Sequence, residues 1–313
     1  MSKIAFIYPG QGAQKAGMGA DFYENSTLAA EVYEEAGEIL GFDIKNLCFT
    51  ENEQLDQTEY TQAAMVTTCL AMTRVLMERG IEPDITAGLS LGEYCAISVA
   101  GGMSRQDAIR TVRTRGILMQ NAVPSGEGAM AAVLGLDGNV IEEVTGSMEG
   151  VTIANYNCPG QIVITGKKQA VEEACIRLKE AGAKRTVFLN VSGAFHSPLL
   201  KEAGKELERV LDQVSFSKLG IPYVTNVTAE AVTDINETKR LLTEQISEPV
   251  RWQQSMEYMI QNGVDTFVEI GPGRTLSGFL RKISREVKVY QVSTWEEMEQ
   301  AVKALAEQEE QVC

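Results

Sequence analysis

Apolar positions run without interruption from Ile4 to Tyr8. The run is too short for a signal-peptide core or a membrane span, and it predicts a first β-strand over Lys3 to Tyr8. That strand breaks into Pro9-Gly10-Gln11-Gly12, a loop whose glycines let the backbone approach a ligand. A long helical pattern from Gln62 to Arg79 stops at Gly80 and Pro83. A short strand, Ile85 to Leu89, then runs into Ser90. Ser104 and Asp107 have capping-box-like spacing and start a helix that reaches about Gln120, closed by Pro124-Ser125-Gly126.

Beyond that punctuation the periodicity switches repeatedly. It predicts strand Ala129 to Leu134, helix Val140 to Met148, strands Val151 to Ala154 and Gln161 to Thr165, helix Gln169 to Ala181 and strand Arg185 to Leu189. This βαββαβ order is that of a ferredoxin-like unit. After His196 longer helices return (Leu199 to Leu211, Thr238 to Ile246, Gln253 to Asn262), interleaved with strands Pro222 to Asn226, Thr266 to Ile270 and Val287 to Val292. The expected fold is therefore α/β: a large, α/β-hydrolase-like domain with a mainly parallel sheet (1–125 and 197–313) and an inserted ferredoxin-like small domain (126–196). The polar tail from Ala306 is expected to fray.

Composition narrows the function classes. Of 313 residues, 44% are hydrophobic and 23% charged, the balance of a globular enzyme. A formal charge of −15 argues against nucleic acid as a partner. Cysteines at 48, 69, 95, 158, 175 and 313 form no CxxC pair. With one histidine in the chain they supply no zinc-ligand spacing, and they read as reduced thiols of a cytoplasmic protein that needs no metal.

Gly88-Leu89-Ser90-Leu91-Gly92 is a GxSxG sequence between a strand and a helical run from Leu91 to Ala100. In that setting the serine sits on a tight turn near helix N–H groups that can meet an oxyanion. The plainer alternative is a serine that caps a helix. A serine nucleophile needs a base, and the one candidate imidazole is His196. No acid stands between Ser90 and His196 in a strand-end loop, so a backbone carbonyl is an equal candidate for orienting the ring. On the helix from Arg105, Arg115 shares its face with Ala108, Val112 and Met119. Either it snorkels or pairs with a carboxylate such as Glu93, or it holds the carboxylate of a substrate.

Seven spaced motifs carry a resemblance. They are Pro9-Gly10-Gln11-Gly12, Gly88 through Glu93, Arg115-Gly116 with Met119-Gln120, Asn155-Tyr156-Asn157 with Pro159-Gly160-Gln161, Gly193 through Ser197, Pro249 through Trp252, and Glu269 through Gly273. With them the chain resembles the bacterial malonyl-CoA:acyl carrier protein transacylases over nearly its whole length. The resemblance implies Ser90 as nucleophile, His196 as base, and the backbone N–H groups of Gln11 and Leu91 as the oxyanion hole. It also implies Arg115 on the malonyl carboxylate, the Gln245 main-chain carbonyl on the histidine, and Asn157 and Gln161 along the cleft. Phe195 looks like the malonyl-selective form of its motif. Malonyl-CoA and the phosphopantetheine arm of acyl carrier protein would be the substrates, with no cofactor of the enzyme's own, and nothing calls for more than a monomer. Serine thioesterase or esterase activity, a trans-acting polyketide acyltransferase and a non-catalytic carrier-binding subunit are the alternatives. Leu89 departs from the histidine usual before the nucleophile, and Ala63 from a proline.

Overall fold

The computed structural model describes residues 2–191 and 193–312, with side chains to residue 307; Cys313, one of the six thiols, lies outside them. The described strands are β1 (Ile4–Tyr8), β2 (Ile85–Gly88), β3 (Gly128–Leu134), β4 (Val151–Cys158), β5 (Gln161–Lys167), β6 (Arg185–Phe188), β7 (Tyr223–Val224), β8 (Ala231–Val232), β9 (Thr266–Ile270) and β10 (Lys288–Val292).

Six of them form one sheet in the order β10-β9-β1-β2-β7-β8, parallel at every pair except β7 with β8. The uninterrupted apolar run of β1 is explained by burial on both faces. Phe6 and Tyr8 join the core beneath helix Thr58–Glu78, while Ala5 and Ile7 pack with Trp252 and Phe267 on the opposite side. Tyr8 is level with Gly88, so the Pro9 loop and the serine turn leave the same carboxyl edge side by side. In open α/β sheets that edge is where ligands bind.

The other four strands form a separate antiparallel sheet, ordered β4-β5-β3-β6. Helices Gly138–Gly146 and Lys168–Glu180 supply Ile141, Val171, Ala174 and Leu178 to a core of its own with Val133 and Ile164. Arg251 and Val250 tie this sheet to the larger one: Val250 N–H donates to Ala154 O at 2.8 Å, and Arg251 N–H to Asn226 O at 3.0 Å.

Several expectations shift. The long helix starts at Thr58 rather than Gln62. The strand expected over Pro222 to Asn226 keeps only Tyr223–Val224 in the ladder, because Thr225 pairs with Glu230 and Ala229 in the turn to β8 and the Asn226 side chain reaches Ser90. The tail expected to fray belongs to a helix, Trp295–Val312. Among the described residues no helix is long and apolar enough to cross a membrane, and no cluster of three or more His, Cys, Asp or Glu could hold a metal.

Candidate active site

Ser90 follows β2 with φ 54°, the left-handed region that a side chain ordinarily avoids. Such a residue costs roughly 1–3 kcal/mol and persists only where its surroundings over-determine it. The flanking glycines are required sterically. A Cβ on Gly88 would lie 1.9 Å from the Gly92 carbonyl carbon, and one on Gly92 would lie 2.4 Å from Tyr8 O. The turn is also clamped by Asn226, whose Oδ1 accepts from Ser90 N–H at 2.7 Å and whose Nδ2 donates to Gly88 O at 2.7 Å. Leu89 lies against the Pro9 loop; a Cβ on Gly10 would meet its Cδ2 at 2.6 Å.

His196, also at positive φ (55°), sits 2.8 Å from Ser90 Oγ through Nε2. Its Nδ1 is 2.8 Å from the Gln245 main-chain oxygen. A carbonyl can only accept, so the ring proton is assigned to Nδ1 and the Nε2 lone pair faces the serine hydroxyl. Burial first, and then the Arg115 charge, lower the imidazole to about 4, against the opposing pull of the Gln245 carbonyl. The ring is therefore neutral at pH 7, as a proton acceptor must be.

Arg115 is fully buried, so it does not snorkel. It forms no bond to Glu93 either. Nη1 donates to Gln62 Oε1 at 2.7 Å, and Nη2 donates to Ser90 Oγ and Gln245 Oε1, each at 3.0 Å. Glu93, equally buried, accepts at Oε2 from Asn226 N–H at 3.0 Å and from Gln245 Nε2 at 2.7 Å, so the glutamine amide stands between cation and carboxylate. Burial drives the Glu93 carboxyl up to about 7 despite these donors, and burial also lowers Arg115. Among the described residues the guanidinium bonds only neutral acceptors, and an anionic ligand would supply what it lacks.

Above this floor opens a cleft of about 360 Å³, lined by Gln11, Leu91, Met119, Met130, Asn155 and Phe195 around Ser90 and His196. The N–H groups of Gln11 and Leu91 make no hydrogen bond to another described residue. Asn157 lines an adjoining recess of about 220 Å³ with Thr275 and Phe279. Gln161 lines neither; its Oε1 accepts from Lys282 Nζ at 3.4 Å. Sequence reasoning missed Asn226, Gln62 and the side chain of Gln245. The signal available for Asn226 was a polar residue just past a buried parallel strand. A serine hydrogen-bonded to a neutral imidazole, free N–H donors at the cleft and a buried cation can together support covalent acyl transfer to and from a carboxylated group.

A family model described as acyl transferase domain matches residues 5–310. The malonyl CoA-acyl carrier protein transacylase of Bacillus subtilis (strain 168) is 46% identical over 313 residues, covering 98% of this chain and 99% of that one. The crystal structure of the transacylase of the same name from Clostridium perfringens matches with a TM-score of 0.96 at 41% identity, over 99% of each chain. A malonyl-transacylase solved in complex with a type II PKS acyl-carrier protein matches with a TM-score of 0.94 at 37% identity, over 97% of this chain and 100% of that one. Agreement in sequence and backbone over nearly the whole chain means that it belongs to the acyl transferase domain family and, within it, to the malonyl CoA-acyl carrier protein transacylases.

Proposed function

We propose that the protein moves a malonyl group from malonyl-CoA to the phosphopantetheine thiol of acyl carrier protein, in fatty acid synthesis, through an ester on Ser90. One observation carries the reading: Ser90 Oγ lies 2.8 Å from a neutral imidazole and 3.0 Å from a buried guanidinium that bonds no carboxylate among the described residues. His196 takes the hydroxyl proton at Nε2 as Oγ bonds to the thioester carbon. The C–S bond then breaks, and coenzyme A leaves as a thiol with that proton. The carrier thiol enters by the reverse steps. The Gln11 and Leu91 N–H groups hold the oxyanion, each worth about 10² to 10³ in turnover by comparison with similar sites. The Gln245 carbonyl keeps the imidazole in the accepting tautomer, and Arg115 takes the malonyl carboxylate.

Asn157 fits contact with the pantetheine arm in the recess beside the cleft. Gln161 belongs to the outer approach with Lys282. On this reading residues 1–125 and 197–313 form an α/β-hydrolase-like catalytic domain, supported by the strand–serine–helix turn at the edge of a parallel sheet. Residues 126–196 form an inserted ferredoxin-like domain, supported by the order β4-β5-β3-β6 with antiparallel neighbours. The enzyme works as a cytoplasmic monomer with no cofactor of its own; five unpaired, buried cysteines support a reduced compartment.

Intact mass after mixing with malonyl-CoA tests the proposal. Wild type should gain one malonyl group and Ser90→Ala none, and holo-carrier should then take the group up. Release as free malonate instead would identify a hydrolase. The likeness to a transacylase of a polyketide carrier favours one second reading, service to a polyketide pathway. Comparing rates with the two carrier types decides between them.

A further inference from the structure

The transfer chemistry uses Ser90, His196 and Arg115, yet the most heavily buried carboxylate in the neighbourhood, Glu93, has no part in it. Glu93 is 0% exposed and makes no ion pair among the described residues. An isolated buried carboxylate is costly unless it is well hydrogen-bonded. What it holds in return is specific. Gln245 is the last residue of helix Thr238–Gln245, so its carbonyl has no N–H four residues ahead to bond and is free to accept from His196 Nδ1. The end of a helix is also where position is least determined. Here it is pinned by the Gln245 side chain, whose Nε2 donates both to Glu93 Oε2 at 2.7 Å and to Ser90 O at 3.0 Å. The same Glu93 oxygen accepts from the backbone of Asn226, the residue whose amide brackets the serine turn at Ser90 N–H and Gly88 O.

We propose that Glu93 is a positioning residue for the Ser90–His196 pair. By accepting from the Gln245 side-chain amide and the Asn226 N–H at one oxygen, it fixes the segment that carries the histidine's acceptor and the segment that clamps the serine. It does for this pair, at one remove, part of what a carboxylate bonded directly to Nδ1 does in a three-residue arrangement. The carboxylate also decides which way the Gln245 amide faces. With Nε2 committed to Glu93, Oε1 is turned to Arg115 Nη2. This inference rests on the acyl-transfer reading for its rate measurements, but not for its spectroscopic one.

The chain has a single histidine, so the Nδ1–H proton resonance of ¹⁵N-histidine-labelled protein reports His196 without ambiguity. Glu93→Leu removes the acceptor at similar volume. Displacing catalytic groups by a fraction of their contact distance is expected to lower the single-turnover rate of Ser90 acylation about 10²-fold, with KM for malonyl-CoA within about twofold. The Nδ1–H resonance should broaden or move toward that of a solvated ring. Glu93→Gln keeps an acceptor, with its amide facing the neighbouring Thr225 hydroxyl. It should restore the rate to within about fivefold of wild type, together with the resonance. Gln245→Met removes the pinning side chain, and with it the Oε1 acceptor of Arg115, while leaving the main-chain carbonyl; it should reproduce the Leu phenotype, which keeps the test alive if Glu93→Leu does not fold. A folded Glu93→Leu or Gln245→Met protein with the wild-type resonance overturns the proposal whatever its rate. Failure of wild type to acylate at all would sink the functional reading and leave this one standing on the resonance.

Discussion

The floor beneath Ser90 and the rim of the cleft above it solve opposite problems. Glu93, Arg115, Asn226 and Gln245 are each 0% exposed, and with no bulk water to fall back on, their polar atoms are held chiefly by one another. At the rim, Asp56, Leu189 and Asn190 are exposed, so any polar group there can exchange a lost partner for solvent. Removing a floor residue leaves a buried donor or acceptor unpaired, whereas removing a rim residue leaves it merely hydrated. Effects at the floor should therefore be large and fall on turnover; effects at the rim should be small and fall on apparent affinity.

The largest expected effect is at the reacting pair itself. His196→Ala should lower the rate of Ser90 acylation by on the order of 10⁴ to 10⁶, comparable to Ser90→Ala and not additive with it, because the two act as one unit. Single-turnover kinetics with malonyl-CoA measure this. A His196→Ala enzyme that acylates at near the wild-type rate would mean that the contact at 2.8 Å is structural, and the contrast between floor and rim would lose its basis.

Arg115→Ala comes next. The substitution removes the buried cation bonded to Ser90 Oγ, so the malonyl-to-acetyl ratio of acylation rates should fall by about 10²-fold, with the acetyl rate little changed. An unchanged ratio would refute the carboxylate clamp. Because Gln62 Oε1 and Gln245 Oε1 would each lose a charged donor, the variant should also unfold at a lower temperature than wild type, a cost that a rim substitution such as Leu189→Ala should not share.

Changing pH tests the floor without mutation. His196 is depressed to about 4 from 6.5, so kcat/KM should stay level from pH 7 down to 5 and decline only as pH approaches about 4. A midpoint near 6.5 would mean a solvated ring. For stability the two floor groups have opposite signs. Below 6.5 the unfolded chain protonates its histidine while the folded one does not, so the His196 contribution is full above 6.5 and is lost as pH falls toward 4. Glu93, raised to about 7 from 4.5, keeps its proton in the fold while the unfolded chain releases it. Its contribution is therefore full below 4.5 and is lost as pH rises toward 7. Between 4.5 and 6.5 the two slopes oppose each other, so mutating either one should change the pH dependence of denaturant unfolding there in the direction set by the other.

The same contrast explains what could be read from the chain alone. The serine turn was legible because its requirements are local: Gly88 and Gly92 have no room for a Cβ, and the strand and helix on either side announce themselves by period. The βαββαβ order was legible for the same reason, with ends misplaced by a few residues. Asn226 and the Gln245 side chain were not legible, because they meet Ser90 from 136 and 155 positions away. Beyond the polar residue that follows a buried strand at Asn226, nothing in the pattern near either residue marks it as a partner of the turn. Arg115 was intermediate: its apolar helix face singled it out but left snorkelling open, and the choice of Gln62 and Gln245 over Glu93 as its acceptors is a property of packing. The early helices Thr27–Leu40 and Ile44–Phe49 went unread although Ser26 and Asp43 cap their starts and Gly41, at positive φ, ends the first of them.

The smallest effect should lie farthest out, where a carrier protein would meet the enzyme. A chain of formal charge −15 repels an acidic partner, so docking needs a local reversal of sign. Of the basic clusters, Lys167–Lys168 line a separate recess with Val123 and Leu199, and Lys184–Arg185 sit at the start of the edge strand β6. Arg281 and Lys282 end the helix Thr275–Ile283, whose opening residues Thr275 and Leu276 line the recess beside the cleft, and Lys282 donates to Gln161 outside that recess. A phosphopantetheine arm entering by that recess would bring its carrier over Lys282. Lys282→Glu should then raise the KM for carrier by about three- to tenfold with kcat unchanged, and the penalty should shrink as salt screens the surface. The matched reversal at Lys168 should do less. An equal effect at both would mean that the carrier senses only the overall field, and a fall in kcat at Lys282 would mean that the rim is coupled to the floor after all.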